Sequence, residues 1–589
     1  SIITGSGQSL IKTGAGRMLV NAANTYDGGT IINGGLFWVN GDNTLVATAP
    51  VTINDTEGAP AGLTVAASRV QTIGALTFGG AGATASSINN VTLNTGSALT
   101  LGGTVTYDAT NNPLGTTISG SGSLVLGASR IFNIADSTGT TNEVSLVSPI
   151  SGAGFSLTKT GAGVLTLSGA NTYSGGTIVN GGTLALSGSG RLAAAGDLTI
   201  NSTTPGTTAL VTLSASGTQT IGALTFGGTD STSTSTNNLT LNSGSTLTLG
   251  GTVTYDGTNN PLTSTISGGT VALGGNRTFA VSDSTAQNAD LNISSNISGA
   301  GNSLTKTGTG RLALTGANTY DGGTVLNGGV IFAGSSGALG TGPVTINNLL
   351  GATSSLGVNT GSGGNTTIAA LTFGGAGSSA TASNNVSINS STLTLSDTVT
   401  YDATNNPLGS TISSITTVTA GTLALGVGSG AARTFAVADS TSTTTELTIS
   451  APVTGAGGLT KTGAGVLTLS GSNTYSGTTT VNGGTLSLGT SGTLNSGNDV
   501  VVNSTTAGTT ALVTLAGNAT QTIGTLTLGG AGGTSTSTNN VTLNSGSTLT
   551  LLGTVTYNAA GNPPFATIAG PGTLAMGAAR TFDVGNSSS

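Results

Sequence analysis

The chain lacks the two residue types that carry much side-chain chemistry, because its 589 residues include no cysteine and no histidine. These absences exclude disulfides, ordinary zinc and thiolate sites, and any Ser-His or Cys-His nucleophile pair. Charge is also scarce, since 5% of the residues are charged and the net charge is −7. Twelve basic residues spread over this length are too few to neutralise nucleic-acid phosphates. We expect no metal, no cofactor and no nucleic-acid partner.

Long apolar runs are missing as well. No stretch of about 18 apolar residues could form a membrane-spanning helix, and the start shows no charged region followed by an apolar core. We expect a mature chain or a fragment that does not insert into a membrane and whose anchor lies outside these residues. Disorder is disfavoured, because it accompanies low hydrophobicity and high net charge, whereas this chain is 35% hydrophobic.

Repetition dominates what is present. A stretch of about 35 residues occurs four times with K-T-G-x-G, N-T-Y-[SD]-G and N-G-G in the same order. Self-similarity at this scale predicts an array. We place the repeats at 1–147, 148–294, 295–449 and 450–589, with an insertion near 415–420 in the third. The motif lysines are Lys12, Lys159, Lys306 and Lys461, with spacings of 147, 147 and 155 residues.

These motifs resemble the autotransporter-associated β-strand repeat, which occurs in passenger domains that Gram-negative bacteria export to the cell surface. The resemblance covers roughly a quarter of the chain, and the fourth copy departs from it by placing Thr478 where the others have glycine. It implies a right-handed parallel β-helix outside the cell. It supplies no catalytic residue.

The strand pattern supports the same fold class. Short β-branched runs such as VLTL at Val164 and TLTL at Thr246 alternate with period two and are separated by Gly and Asn turns. We predict an all-β solenoid, an elongated rod without helices, with a coil of roughly 20 residues. The insertion is too short for a whole coil, so we predict an outward loop or one extra strand at Ile415 to Ala420.

Three aromatic or basic columns recur through the repeats. A functional interpretation would make them a ligand ladder, but their members lie several coils apart and cannot hold one small ligand. The structural interpretation, in which buried tyrosine hydroxyls are hydrogen-bonded at the core edge, is favoured. Asn and Gly of each N-G-G are expected to adopt left-handed conformations at corners. The columns are Tyr26, Tyr173, Tyr320 and Tyr475; Tyr107, Tyr255, Tyr401 and Tyr557; and Arg130, Arg277, Arg433 and Arg580, each followed by a Phe two positions later.

Two other functions can be weighed against a structural role. A polysaccharide-active β-helix would need two neighbouring acids, and Asp55 with Glu57 is the only close pair among nineteen acids. We interpret this pair as a solvated turn. An ice-binding face would need T-x-T on successive coils, whereas the motif at Thr104 recurs once per repeat. On this spacing we expect no flat threonine array.

The repeats are not equivalent. Copies one and three share an arginine and an aromatic residue, Arg17 with Trp38 and Arg311 with Phe332, where copies two and four carry small or aliphatic residues. The repeats therefore form a duplicated pair. The alternation predicts that both aromatics point outward, and Arg with exposed aromatics is typical of contact hot spots. These four residues are our candidate partner contact, although an aromatic that covers a loop remains the simpler alternative.

We predict a non-enzymatic extracellular protein of a Gram-negative-type surface, either a stalk or adhesin passenger or a fibre subunit. The alternative is a polysaccharide-active or carbohydrate-binding passenger domain. Expected partners are further repeats of the same chain, other copies in head-to-tail or lateral contact, or host and neighbouring-cell glycans. Because isolated arrays normally carry caps, we expect each end to be covered by more polypeptide or by the next protomer.

Overall fold

The computed structural model describes residues 1–586 except 59, 83–85, 87–88, 112–113, 215–216, 233, 259, 261, 285–288, 350, 352, 362–363, 376, 378–380, 405, 415–419, 427–429 and 560–564. The described residues form parallel strands and one turn of 3-10 helix at Ala109–Asn111, with no α-helix. The described part therefore holds no helix that could span a membrane. The predicted all-β solenoid is confirmed. It divides into two compact units, Ser1–Asn296 and Ile297–Ser589.

Twelve described strands of the first unit stack in parallel as a first sheet. The apolar residues of each strand point inward, because alternate side chains of a strand face opposite sides. These strands are Leu10–Lys12, Thr30–Ile32, Val51–Ile53, Leu76–Phe78, Val105–Tyr107, Arg130–Ile134, Leu157–Thr160, Thr177–Val179, Leu198–Ile200, Leu224–Phe226, Val253–Tyr255 and Arg277–Val281.

A second parallel sheet follows the first on each coil of this unit. Its strands are Arg17–Val20, Gly35–Val39, Ala61–Val65, Asn89–Leu93, Thr116–Ser119, Val144–Leu146, Val164–Leu167, Gly182–Leu186, Thr208–Leu213, Thr236–Leu249, Ser264–Ala272 and Leu291–Ile293. A third, shorter sheet closes the longer coils. It contains Val70–Ile73, Ala98–Leu101, Ser123–Leu126 and Ile150–Ser151, and later Thr218–Ile221, which pairs with the second half of Thr236–Leu249.

The second unit has the same arrangement, and the strand Asn296–Ser298 contains the boundary residues. Its first sheet is Leu304–Thr307, Thr324–Leu326, Val344–Ile346, Leu371–Phe373, Val399–Tyr401, Arg433–Val437, Leu459–Thr462, Thr479–Val481, Val500–Val502, Leu526–Leu528, Val555–Tyr557 and Phe582–Val584. Its second sheet is Arg311–Leu314, Gly329–Ala333, Ser354–Val358, Asn384–Ile388, Ser410–Ser414, Leu447–Ile449, Val466–Leu469, Gly484–Leu488, Thr510–Leu515, Thr538–Leu543 and Thr567–Ala569. Its third-sheet strands are Gly364–Ile368, Ser391–Leu395, Thr422–Leu425 and Val453–Thr454, then Thr520–Ile523, Thr548–Leu551 and Thr573–Ala575.

Coils are of two kinds, with two strands or with three, and the coils with three strands are longer than the expected roughly 20 residues. Register partners are 20 residues apart from Leu10 to Thr30 and 21 from Thr30 to Val51, where a coil has two strands. They are 29 residues apart from Leu76 to Val105, where the third sheet adds a strand. The expected length of roughly 20 residues is therefore correct only for the coils that have two strands, which we call the short coils. The predicted insertion at 415–420 lies, apart from Ala420, outside the described residues.

The core runs along the inside of the stacked sheets as columns of buried side chains. In the first unit one column contains Phe132, Lys159, Val179, Ile200 and Phe226 on successive coils. All five are fully buried. A lysine therefore occupies a position that apolar residues fill on the neighbouring coils.

Candidate functional site

The motif lysines lie inside the core. In the strand Leu157–Thr160 the burial alternates, and Lys159 has the inward parity of Leu157. Lys159, Lys306 and Lys461 are 0% exposed and Lys12 is 7% exposed. A buried ammonium group must be paired or hydrogen-bonded. The contacts of its three N–H donors therefore decide what the motif does.

Each ammonium group donates to three backbone carbonyl oxygens at 2.6–3.1 Å. Two carbonyls belong to the residues that follow the lysine, and the third to a glycine on the next coil. We call this arrangement the lysine corner. The acceptors are Thr13, Gly14 and Gly34 for Lys12; Thr160, Gly161 and Gly181 for Lys159; Thr307, Gly308 and Gly328 for Lys306; and Thr462, Gly463 and Gly483 for Lys461.

Buried carboxylates accompany two of these corners. The Val164 amide donates to Glu143 Oε2 at 2.6 Å, directly after the glycines that follow Lys159. Burial lowers the pKa of Lys159 to about 7, and the Glu143 charge opposes that shift. Burial likewise lowers the pKa of Lys461 to about 7 against the opposing charge of Glu446. Sequence inspection missed both glutamates, because each lies on the coil that precedes its lysine.

The second glycine of N-G-G forms the bend of the corner. Gly182 has φ +62°, and a Cβ there would lie 2.4 Å from the Gly163 carbonyl oxygen. The expected left-handed conformation of the preceding asparagines is wrong: Asn33, Asn180, Asn327 and Asn482 have no positive φ. Instead, the Asn180 amide donates to the Lys159 carbonyl at 2.8 Å. The sharp bend thus falls two residues later, where only glycine avoids the clash.

The tyrosine columns are also internal. Tyr26, Tyr173, Tyr320 and Tyr475 are at most 2% exposed, and each hydroxyl bonds a threonine hydroxyl four residues later at 2.7–2.8 Å. Tyr107, Tyr255 and Tyr401 are buried, whereas Tyr557 is half-buried. The Tyr255 and Tyr401 hydroxyls donate to the carbonyls of Asn260 and Asn406. The seven buried tyrosine rings fill the core, and their hydroxyls bond to atoms of the chain itself.

The arginine column joins neighbouring coils. Nε of each arginine donates to a leucine carbonyl at 2.7–3.0 Å on the coil before it. Phe132, Phe279 and Phe435 are fully buried, whereas Phe582 is exposed. The pairs are Arg130 with Leu101, Arg277 with Leu249, Arg433 with Leu395 and Arg580 with Leu551.

The two outward aromatics each contact an arginine. Trp38 and Phe332 are half-buried on the outer face of the second sheet. The Arg17 guanidinium lies 4.6 Å from the Trp38 ring centroid, and that of Arg311 lies 4.4 Å from the Phe332 ring centroid. The structure therefore brings together the members of each predicted pair within its own unit.

The acidic pair lies in a turn, but the expectation that this turn is solvated is wrong for Asp55, which is fully buried. Asp55 is buried and accepts a hydrogen bond at 3.0 Å from the Glu57 amide, as in a turn. Glu57 accepts at 2.8 Å from the amide of Gly14, a residue of the first lysine corner. Within the described part of the chain, no group of three or more acids could hold a metal ion.

The expectation that threonines do not recur on successive coils is wrong. Thr218 and Thr220 pair in register with Thr246 and Thr248 on the next coil, and Thr246 pairs with Thr270 on the one after. The second unit repeats this array at Thr520, Thr522, Thr548, Thr550 and Thr573. Different motifs supply threonines to successive coils, which a count of one recurring motif overlooks.

Comparison with known proteins identifies the segments that contain the lysine corners. The family model of the passenger-associated-transport-repeat matches residues 10–36, 157–186, 304–331 and 459–488. The chain carries four passenger-associated-transport-repeats. Each matched segment contains its lysine, the three carbonyls and the bending glycine. In this chain each matched segment is therefore a lysine corner.

A curated relative extends the likeness beyond the passenger-associated-transport-repeats. Over 288 residues, 47% of the chain, the sequence is 30% identical to the adhesin BmaC autotransporter of Brucella suis biovar 1 (strain 1330). This alignment spans 6% of the length of that protein. No solved structure matches the chain.

Proposed function

We propose that this chain is a passenger segment of an autotransporter adhesin, displayed on the surface of a Gram-negative bacterium. It acts by binding and not by catalysis. The four passenger-associated-transport-repeats carry the proposal, and the relative named an adhesin supports it. The recurring lysine, tyrosine and arginine side chains agree with this role, because their contacts stabilise the coils and do not form a catalytic site.

Adhesion can be tested with the purified full chain coupled to beads. Beads that carry the chain should attach to host cells or to a glycan surface more than beads that carry albumin. Protease treatment of intact source bacteria should remove the protein while cytoplasmic markers survive. Failure to attach to any surface, or protection from the protease, would contradict the proposal.

The enzymatic alternative makes a different prediction. A polysaccharide-active protein would release reducing ends from a polysaccharide panel above the level of a boiled control. We expect no release, because the one close acidic pair is committed to a turn and to the first lysine corner. Sustained release would replace binding with catalysis as the function.

Self-association stays a prediction. Light scattering over a concentration series would show a mass that rises above the 56.0 kDa of one chain if copies associate. A constant mass of one chain would contradict head-to-tail or lateral assembly, and it would leave the adhesin proposal standing.

A further inference from the structure

The threonine array of the first unit lies on the outer face of its third sheet. The strand Thr218–Ile221 pairs in register with the second half of Thr236–Leu249, which pairs in turn with the second half of Ser264–Ala272. Burial alternates along these strands, so every second residue faces outward. Five of the six outward positions are threonine, and the sixth is Ala272. The five are Thr218, Thr220, Thr246, Thr248 and Thr270.

The register between coils fixes the spacing of this array. Neighbouring strands lie about 4.8 Å apart, and alternate residues of one strand lie about 6.6 Å apart. Thr218 and Thr246 are therefore neighbours in one direction, and Thr246 and Thr248 are neighbours in the other. Each threonine presents a hydroxyl and a methyl group at a repeated position. A rectangular arrangement of this size is close to the repeat of water oxygens on the prism face of hexagonal ice.

The hydroxyl groups of the array are not used within the chain. Among the described residues, no hydrogen bond engages the side-chain oxygen of any of the five threonines. On the second sheet of the same unit, by contrast, the Thr208 hydroxyl bonds the Thr236 hydroxyl at 2.9 Å, and the Thr265 hydroxyl donates to Asn238 at 2.9 Å. Those threonines connect neighbouring coils, whereas the hydroxyls of the array are available to water or to a ligand.

The second unit has the same array on its own third sheet. Its threonine hydroxyls also have no hydrogen-bond partner within the described part of the chain. Valine and isoleucine are enriched in strands as threonine is, but they occur at none of the outward positions of either array. Strand formation alone therefore does not explain the choice of threonine. The positions are Thr520, Thr522, Thr548, Thr550 and Thr573, with Ala575 at the sixth.

The other two repeats do not present such an array. In the first repeat Val70 interrupts the outward rows and is 46% exposed. In the third repeat the Thr392 hydroxyl bonds the Thr422 hydroxyl at 3.0 Å, and the Thr394 hydroxyl donates to Asn365 at 2.7 Å. Arrays of threonines with unbonded hydroxyls thus belong to the second and fourth repeats.

We propose that the threonine arrays bind ice. An ice-binding face needs threonines on successive coils, and the register supplies them from different motifs. The repeated hydroxyls bond water oxygens of the lattice, and the methyl groups pack between them. A repeating surface suits a repeating ligand, whereas a single small molecule is held in a concave pocket with a few convergent polar groups. Ice binding is an activity separate from adhesion to cells or glycans, and it does not depend on that function.

The test grows ice slowly on a cooled surface in a dilute solution of the full chain and measures the chain in the ice and in the remaining liquid. Albumin, which does not bind ice, should stay in the liquid, whereas the chain should enter the ice. The double variant Thr248→Lys and Thr550→Lys should stay in the liquid as albumin does. A long charged side chain on the middle strand of each array keeps the neighbouring threonines away from the lattice.

The matched control is the double variant Thr240→Lys and Thr542→Lys, because both threonines face outward on the second sheet of the same coils. It should enter the ice like the unmodified chain, and circular dichroism should show that both double variants are folded. Exclusion of the unmodified chain from ice, unchanged uptake of the array variant, or equal loss of uptake in the control would overturn the inference. If the beads adhere to cells but the chain stays out of the ice, this inference fails while the adhesin proposal stands.

Discussion

At the scale of residues, the four lysines of the chain show how a charged group can stabilise a solenoid core. A corner turns backbone carbonyls away from the parallel ladder, and buried carbonyls without a donor cost free energy. One ammonium group supplies three donors and meets three such carbonyls at each corner. The lysine is therefore a structural part of the repeat and not a ligand-binding residue.

Replacing Lys159 with Met tests this role. The side-chain volume is nearly kept, but the carbonyls of Thr160, Gly161 and Gly181 lose their shared donor. We expect the free energy of local opening to fall by about 2–3 kcal/mol. This corresponds to a roughly 100-fold fall in hydrogen-exchange protection of peptides from 157–186. Arg191→Met, at an exposed cation of the same repeat, should change protection little. Equal protection in both variants would contradict the role of the corner.

The dependence of stability on pH provides a second test. The pKa of Lys159 and Lys461 falls from 10.5 to about 7 on burial, so between these values the unfolded chain binds more protons. The free energy of unfolding should therefore rise with pH across that window, by up to about 1.4 kcal/mol per pH unit for each lysine, because the neutral amine keeps two of the three N–H donors and loses the cost of a buried charge. The chain has no histidine or cysteine to obscure this trend.

Above pH 10 the free energy of unfolding should instead fall as the pH rises. Burial raises the pKa of Tyr173, Tyr255 and Tyr401 to about 12 from 10.0, so the folded chain then keeps protons that the unfolded chain loses. Urea unfolding at several pH values should give maximum stability near pH 10. The double variant Lys159→Met and Lys461→Met should flatten the rise from pH 7. A stability that falls steadily from pH 7 to 10 would be inconsistent with the buried lysines.

At the scale of elements, the bend of each lysine corner depends on one glycine. Gly182 has φ +62°, and a Cβ would lie 2.4 Å from a carbonyl oxygen, whereas at Gly181 the nearest atom would be 3.5 Å away. Gly182→Ala should lower the free energy of unfolding by at least about 1–2 kcal/mol from backbone conformation alone. It should also expose the amides of Gly182–Leu186 to hydrogen exchange. Gly181→Ala is the control and should cost much less. Similar effects of the two variants would refute this account of the corner.

Much of the element pattern could be predicted from the sequence, because alternation and repetition are local signals. The alternation in L-T-K-T also predicts that the lysine points into the core, since Lys159 shares the inward parity of Leu157. It was missed because a lysine is normally exposed, and only the carbonyls of two coils make its burial favourable. The threonine array and the Glu143 contact were beyond local patterns, because both depend on the register between coils.

At the scale of the whole molecule, the same design recurs in both compact units. Each contains two passenger-associated-transport-repeats, and each repeat places its lysine in the core of its own unit. The recurring residues are thus used for folding. Variable outward positions such as Trp38 and Phe332 take no part in these core contacts.

Amine labelling of the full chain tests the central claim most directly. All four lysines are motif lysines, and three are fully buried while Lys12 is 7% exposed. A water-soluble acylating reagent should therefore modify the α-amino group of the folded protein rapidly and leave Lys159, Lys306 and Lys461 unmodified, whereas all the amines should react in denaturant. Peptide mass spectrometry gives the result for each lysine. Labelling of these three lysines in the folded protein at the rate seen in denaturant would contradict the account.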